Sequence, residues 1–241
     1  MKIVVSDYDN IVSKKNFIDI IDSINKFVRD GNMFIIATNK AMNYLADDLS
    51  MVDLDCEYYI CNSGAVIFDR YFNVIYRKDI KQELVRPIYN YLKDDENILE
   101  TFIDTSHGFV FDTSKSANGI IARPFDSAKG ELALDYISRK FPDVHGNVND
   151  NLINIVDKKV SKSFALDYLV NTYNYNKEDV TAIGTTLNDY SLLEKYNGYT
   201  LVDSINDLKS ISLGTAKDLI EVLDRLSIKL VDPNNEFEFE D

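Results

Sequence analysis

Residues 2–10 read KIVVSDYDN. A short β-branched run, Ile3 to Val5, passes through Ser6 into two carboxylates one residue apart, Asp7 and Asp9. Such a run suits a strand buried on both faces, as in a parallel sheet. Side chains at i and i+2 of an extended segment point the same way, so Asp7 and Asp9 share a face. Ligands of open parallel sheets bind at the carboxyl ends of the strands, and this run ends on its acids.

The neighbouring segments fit that sheet. Residues 16–31, NFIDIIDSINKFVRDG, place Phe17, Ile20, Ile21, Ile24, Phe27 and Val28 at helical spacing, with Gly31 as a stop. Residues 33–38, MFIIAT, read as a second buried strand, and 41–49, AMNYLADDL, as a helix. Residues 57–69, EYYICNSGAVIFD, read as a strand running into a turn, with 72–78, FNVIYRK, as its hairpin partner. Strand–helix alternation at these intervals predicts a parallel α/β sheet.

The middle of the chain has another rhythm. Residues 81–95 read as a helix with Pro87 in its first turns, 97–104 and 107–113 as paired strands, 126–141 as a helix capped by Asp126 or Ser127, and 143–157 as two short strands. Two α-β-β blocks predict a small, largely antiparallel α+β unit. From about residue 158 the α/β pattern returns: helices at 161–173 and 188–196, strands at 179–185 and 198–203, and a final helix at 215–226. The acidic end, 231–241, is expected to be solvated or frayed. With no internal repeat or linker, the middle reads as an insertion into a discontinuous core: residues 1–80 and 158–241 around an insert at 81–157.

Bulk properties narrow the function classes. The chain has 241 residues, 45% hydrophobic and 27% charged, ordinary for a globular protein. A formal net charge of −14 disfavours nucleic acid and anionic membrane as partners, and an anionic substrate would need local cations or a metal ion. Two cysteines, Cys56 and Cys61, make neither a disulfide framework nor a zinc site and are expected reduced and buried. No apolar run approaches membrane-spanning length and no signal peptide is evident, so a cytoplasmic location is expected. Oligomeric state is left open.

The strand ends gather a distinctive set: Asp7-Tyr8-Asp9-Asn10, then Thr38-Asn39-Lys40, then Gly184-Thr185-Thr186 with Asn188-Asp189 beyond, and Lys162 opening the preceding helix. In this order and spacing the set resembles the haloacid dehalogenase superfamily, in its Cof-like sugar-phosphatase branch with a type-two cap. Asp-x-Asp matches the first motif, Thr38 in IIATNK the second, Lys162 in VSKSFALDYL the third, and residues 184–189, GTTLND, the fourth. CNSGAVI (61–67) resembles the branch's Asn-Gly-Ala turn, with Ser63 inserted or substituted.

The resemblance implies a Rossmann-like parallel-sheet core carrying an inserted α+β cap. It implies a magnesium-dependent phosphatase for a small phosphorylated metabolite. Asp7 would be the nucleophile forming an aspartyl-phosphate, Asp9 the general acid/base, and Thr38 and Lys162 the groups that steady the phosphoryl charge. Thr38, Asn39, Lys162 and Asn188 would contact substrate. Mg2+ would sit on Asp7, Asp9 and Asp189, with Thr185 a weak ligand where the family carries an aspartate. Ile11, Asn39 and Lys40 also depart from the branch.

Blander readings stand beside these. Asp-x-Asp is common in a chain with 40 acidic residues, Thr38 could cap a strand end, and Lys162 is one of three nearby lysines with Lys158 and Lys159. Asn188-Asp189 could simply cap the helix that follows. His107 and His145 lack metal-ligand spacing and read as structural or exposed, and Tyr8 as a packing residue or a neighbour of the substrate entrance. The altered fourth motif supports a second hypothesis, a catalytically weakened or inactive binding or regulatory protein on the same fold. A phosphomutase ranks lower, because Arg123 and Arg139 are the only arginines in the later half of the insert.

Overall fold

The computed structural model describes residues 1–13, 16–149 and 151–227. The expected acidic end therefore lies outside the described residues. The first strand, β1 (Ile3–Asp7), stops at the first acid, and the chain leaves it through a single wide helical turn, Tyr8–Val12. Asp7 caps that turn: its carboxylate accepts the Asn10 N–H. Then come α1 (Phe17–Arg29), β2 (Met33–Ala37), α2 (Met42–Leu49) and β3 (Tyr58–Cys61), as the hydrophobic spacing predicts. Gly31 follows α1 at φ +88°, a conformation that glycine adopts without penalty.

The strand expected to run into a turn within 57–69 continues past that turn as a second strand, so that β3 and β4 (Val66–Asp69) form a hairpin to which β5 (Val74–Arg77) adds a third antiparallel strand. Asn62, Ser63 and Gly64 form its turn, all at positive φ. At Gly64 (φ +105°) an added Cβ would lie 2.2 Å from the Ser161 carbonyl oxygen. The turn is thereby pressed onto the start of a later helix.

The insert contains α3 (Gln82–Asp94), β6 (Ile98–Asp104), β7 (Phe109–Val110), β8 (Gly119–Pro124), α4 (Ser127–Lys140), β9 (Val144–Asn149) and β10 (Leu152–Asp157). Pro87 lies within the second turn of α3, and Asp126 caps α4 by accepting the Lys129 N–H. Strand β8 breaks the expected pair of α-β-β blocks. It is the central strand of an antiparallel sheet, β7-β6-β8-β10-β9, so its run Ile120-Ile121-Ala122 is buried without alternation. Its own end residues, Gly119 and Pro124, mask it in the sequence.

The chain then returns to the first sheet with α5 (Lys162–Thr172), β11 (Val180–Ile183), α6 (Tyr190–Lys195), β12 (Tyr199–Leu201), α7 (Asn206–Ile211), β13 (Gly214–Ala216) and α8 (Leu219–Ser227). The last helix thus starts at Leu219 rather than Thr215; Thr215 and Ala216 belong to an edge strand, and α7 was not foreseen. Both are too short, at 6 and 3 residues, for a periodicity to develop.

The large sheet runs β13-β12-β11-β1-β2-β3-β4-β5, parallel from β13 through β3. Alternate residues of β1 feed different faces. Val4 packs with α1, α2 and α8, whereas Ile3 and Val5 pack with α5, α6 and α7. The insert has its own core of Val85, Ile88, Ile120, Ile137 and Ile155 between α3, α4 and the second sheet. Both cysteines are free and buried, as expected.

Gly64→Ala is expected to destabilise the fold by about 1–3 kcal/mol in urea denaturation, because the new methyl group meets backbone in a left-handed conformation. Gly31→Ala, with no atom within 4 Å of the added carbon, tests how much of that loss is φ alone.

Candidate active site

The end of β1, the turn after β11 and the first residue of α5 converge on one buried ion cluster. Lys162 Nζ lies 2.7 Å from Asp7 Oδ1 and 2.7 Å from Asp189 Oδ1, and all three residues are buried. A buried lysine is tolerated only when it is paired and hydrogen-bonded, and these two carboxylates supply both conditions. Burial favours the neutral amine, but Asp189 and Asp7 together outweigh it and raise the pKa above the ordinary lysine value. Burial pushes the Asp7 carboxyl up to about 6 against the pull of Lys162, with Asp189 and Asp9 adding to the rise.

Local structure fixes each member. Ser161 caps α5 by accepting the Phe164 N–H, which holds Lys162 as the first helical residue. The Gly64 turn bears on the same Ser161–Lys162 backbone. Asp189 Oδ2 accepts the Thr185 and Thr186 N–H groups at 3.0 and 3.1 Å and the Thr186 hydroxyl at 3.1 Å. Gly184 makes room for it, since a Cβ there would lie 2.3 Å from Asp189 Cβ. The capping reading of Asp189 and its place in the cluster are therefore both true: one oxygen serves the turn, the other Lys162.

Asp9 faces a second set. Thr38 Oγ1 donates to Asp9 Oδ2 at 3.0 Å, and Lys40 Nζ lies 3.0 Å from Asp9 Oδ1. Lys40 also pairs with Asp48 at 2.8 Å and sits 5.3 Å from the centre of the Tyr8 ring. Lys40, expected at a strand end and as a departure from the family motif but not as a site residue, touches the second aspartate directly. Its position two residues beyond a strand-end threonine was the available signal.

Asn39 lies beside this group, buried, with its Oδ1 accepting the Ser63 hydroxyl at 3.0 Å. Ser63 in turn accepts from Asn147 Nδ2 of β9 at 3.1 Å, so a relay joins the insert to the core. Asn62 Nδ2 donates to the buried Asp104 Oδ2 of β6 at 2.9 Å, a second such tie. The structure thus brings together Asp7, Asp9, Thr38, Asn39, Lys162 and Asp189. It leaves Asn188 exposed on the turn before α6 and outside the hydrogen bonds of Asp7, Lys162 and Asp189. His145 contacts the Val160 carbonyl at 2.8 Å and His107 is exposed, in line with structural roles.

The donor set for a divalent cation is thin. Asp189, expected as a ligand, has both oxygens engaged by Lys162 and by the turn it caps. Asp7 Oδ1 is held by Lys162, and its Oδ2 carries only the Asn10 N–H at 3.3 Å. Thr185 Oγ1 is buried without a hydrogen-bond partner, a group an added ion would satisfy. Among the described residues no three His, Cys, Asp or Glu side chains are grouped to hold a metal. Asp7 Oδ2 and Thr185 Oγ1 are the two motif oxygens with capacity left for an added ion, and Mg2+ accepts one or two carboxylates when phosphate and water complete its shell.

A sequence profile of the haloacid dehalogenase-like hydrolases matches residues 7–140 and 125–218. The chain belongs to that family. A protein of Mycoplasma capricolum without a characterised function is 25% identical over 233 residues, spanning 81% of this chain and 88% of its own. Among solved structures, a haloacid dehalogenase-like hydrolase from B. subtilis superposes with a TM-score of 0.75 at 17% identity, covering 94% of this chain and 99% of that one. A superfamily phosphatase from Bacteroides thetaiotaomicron gives 0.76 at 17%, covering 94% and 95%. A subclass IIB sugar phosphatase gives 0.74 at 15%, covering 93% and 98%. At these identities the structures establish the shared fold, and the roles of individual residues rest on the geometry above. Among the described residues no helix is long and apolar enough to cross a membrane.

Replacing Lys162 by Met leaves two buried carboxylates facing each other. A loss of about 3–5 kcal/mol is expected in urea denaturation at pH 7.5 without divalent cations. A carboxyl whose folded pKa is raised binds its proton more readily folded than unfolded, so folding gains stability as the pH falls. Without the pull of Lys162 the Asp7 carboxyl rises further above its wild-type value of about 6, so the deficit should shrink as the pH is lowered toward 6. An unchanged deficit would mean that Asp7 is not the group left uncompensated.

Proposed function

We propose that this chain is a Mg2+-dependent phosphatase acting on a small phosphate monoester. The observation that carries the reading is the buried Lys162 ammonium bridging Asp7 and Asp189, with Asp9 held by Thr38 two residues further along the same strand end. Lys162 orients Asp7 and offsets part of its charge as a dianionic phosphoryl group approaches. A carboxylate oxygen of Asp7 attacks phosphorus while the ester P–O bond breaks, giving an aspartyl-phosphate. Asp9 gives its proton to the departing ester oxygen. In the second half Asp9 takes a proton from water as that water attacks phosphorus, and the bond from phosphorus to Asp7 breaks. Asp7, the Asp9 main-chain carbonyl and Thr185 would hold Mg2+, which when bound supplies positive charge to the phosphoryl oxygens.

In this reading residues 1–80 and 158–241 form the catalytic core and 81–157 the cap. A cavity of about 290 Å3 between them receives the leaving group. Asn39, Lys40, Tyr44, Asp47 and Asp48 line it from the core, and Asn149, Leu152 and Asn154 from the insert. With the Asn39 oxygen taken by Ser63, its amide N–H2 is the group it offers. Amides and carboxylates recognise hydroxyls. Among the described residues that line it the one cation, Lys40, is already paired with Asp9 and Asp48, so a second phosphate would meet Asp47 with no described counter-ion. The substrate is accordingly a monophosphate of a hydroxylated alcohol.

A second reading, a binding or regulatory protein with weakened or no turnover, is favoured by Thr185 and by the full engagement of Asp189. Hydrolysis of an aryl phosphate with Mg2+ separates the two. Wild type should turn over, Asp7→Asn should lose about 10³-fold or more, and Asp9→Asn about 10²–10⁴-fold. No wild-type turnover on aryl or sugar phosphates would establish the second reading.

Among true substrates, a hexose bisphosphate should show kcat/KM at least about tenfold below the monophosphate. Asp47→Lys should narrow that gap. Equal use of both esters by wild type would remove the leaving-group assignment.

A further inference from the structure

Ser63 is held in a conformation that serine seldom takes. The Asn62–Gly64 turn is left-handed throughout, with φ 49°, 57° and 105°. Glycine adopts that region freely and asparagine tolerates it, whereas serine enters it at a cost. The turn itself does not call for serine. Glycine at 63 would keep the backbone bond from the residue 63 N–H to the Thr38 carbonyl at 3.1 Å. What glycine lacks is the hydroxyl, and in this buried residue the hydroxyl lies between two amides. Backbone strain retained under a buried polar side chain points to a task for that side chain.

The task follows from the hydroxyl's single proton. Ser63 donates it to Asn39 Oδ1 at 3.0 Å and accepts from Asn147 Nδ2 at 3.1 Å. One proton cannot serve two amide oxygens at once, so the two amides face Ser63 in opposite senses, one by oxygen and the other by nitrogen. Asn147 stands on β9 of the insert, and of these three residues Asn39 lines the leaving-group cavity. We propose that Ser63 is a positioning residue for substrate selection: it presents the Asn39 amide N–H2 to a hydroxyl of the leaving group, in a sense set by Asn147. The Asn147 Oδ1 atom, buried with no hydrogen-bond partner among the described residues, is what the fold gives up to hold that sense. An amide fixed beforehand binds more tightly than one that must turn when substrate arrives. The inference deepens the phosphatase reading and rests on it for the position of the leaving group.

The full chain is assayed with an aryl phosphate, which has no aliphatic hydroxyl, and with the best substrate among glucose, ribose and mannitol monophosphates. Ser63→Gly suits the backbone and removes the hydroxyl. It should lower kcat/KM for the hydroxylated ester at least about fivefold more than for the aryl ester, chiefly through KM, since the lost contact serves substrate and transition state alike. Asn39→Ala should shift the same ratio, and Ser63→Gly should add nothing to it, because both act through one contact. Equal effects of Ser63→Gly on the two esters would overturn the proposal, as would effects of the two substitutions that add in the double variant. Hydrolysis without the Ser63 effect sinks this inference and leaves the phosphatase reading standing. Where wild type hydrolyses neither ester, calorimetry with the same three monophosphates decides. Weaker binding by Ser63→Gly then keeps this inference and sinks the phosphatase reading, while wild-type binding that is absent, or indifferent to the change, sinks both.

Discussion

One buried ammonium organises the centre of this protein. Lys162 is separated by 155 residues from Asp7 and by 27 from Asp189, and it can be buried only where both meet it. That requirement ties together β1, the loop after β11 and the start of α5. The Ser161 cap, the bare Cα of Gly64 and the space left by Gly184 all serve to bring the three side chains to one point. Local rules and tertiary demand agree here, as expected of a sequence that specifies a single packing.

Around this centre the charges form two groups with different tasks. Lys162 faces inward and serves Asp7 and Asp189. Lys40 lies at the cavity wall, where Asp9, Asp48 and the Tyr8 ring share it, and there too burial is outweighed by its acidic neighbours. The insert is bound to the core through polar contacts of the Asn62–Gly64 turn as well as through the Tyr44–Phe109 ring contact at 5.1 Å. The same turn therefore meets α5 on one side and the insert on the other, which couples the placement of Lys162 to the placement of the insert.

Much of this was legible in the sequence. Long periodic stretches such as 16–31 and strands ending in polar residues read directly, because burial on one helical stripe or on two strand faces leaves a strong pattern. The aspartate pair, Thr38 and Lys162 were found from their places at strand and helix ends. What escaped was short or masked: β8 between Gly119 and Pro124, α7 and β13 with too few residues to show a period, and β4 hidden behind a three-residue turn. At the site, pairwise commitments were invisible. The sequence shows that Asp189 is a carboxylate, but not that both its oxygens are already occupied. Nor does it show that Lys40 reaches back to Asp9, since that contact depends on a side-chain path across two strand ends.

The separation of Asp7 from its counter-ion also bears on biogenesis. Synthesis runs from the N-terminus, so β1, β2 and β3 emerge well before residues 162 and 189. Until those arrive, a carboxylate at the end of the central strand has no cation with which to enter the interior, and desolvating it alone is costly. The full ion cluster can therefore form only once residue 189 has been made, so its closure depends on nearly the whole chain.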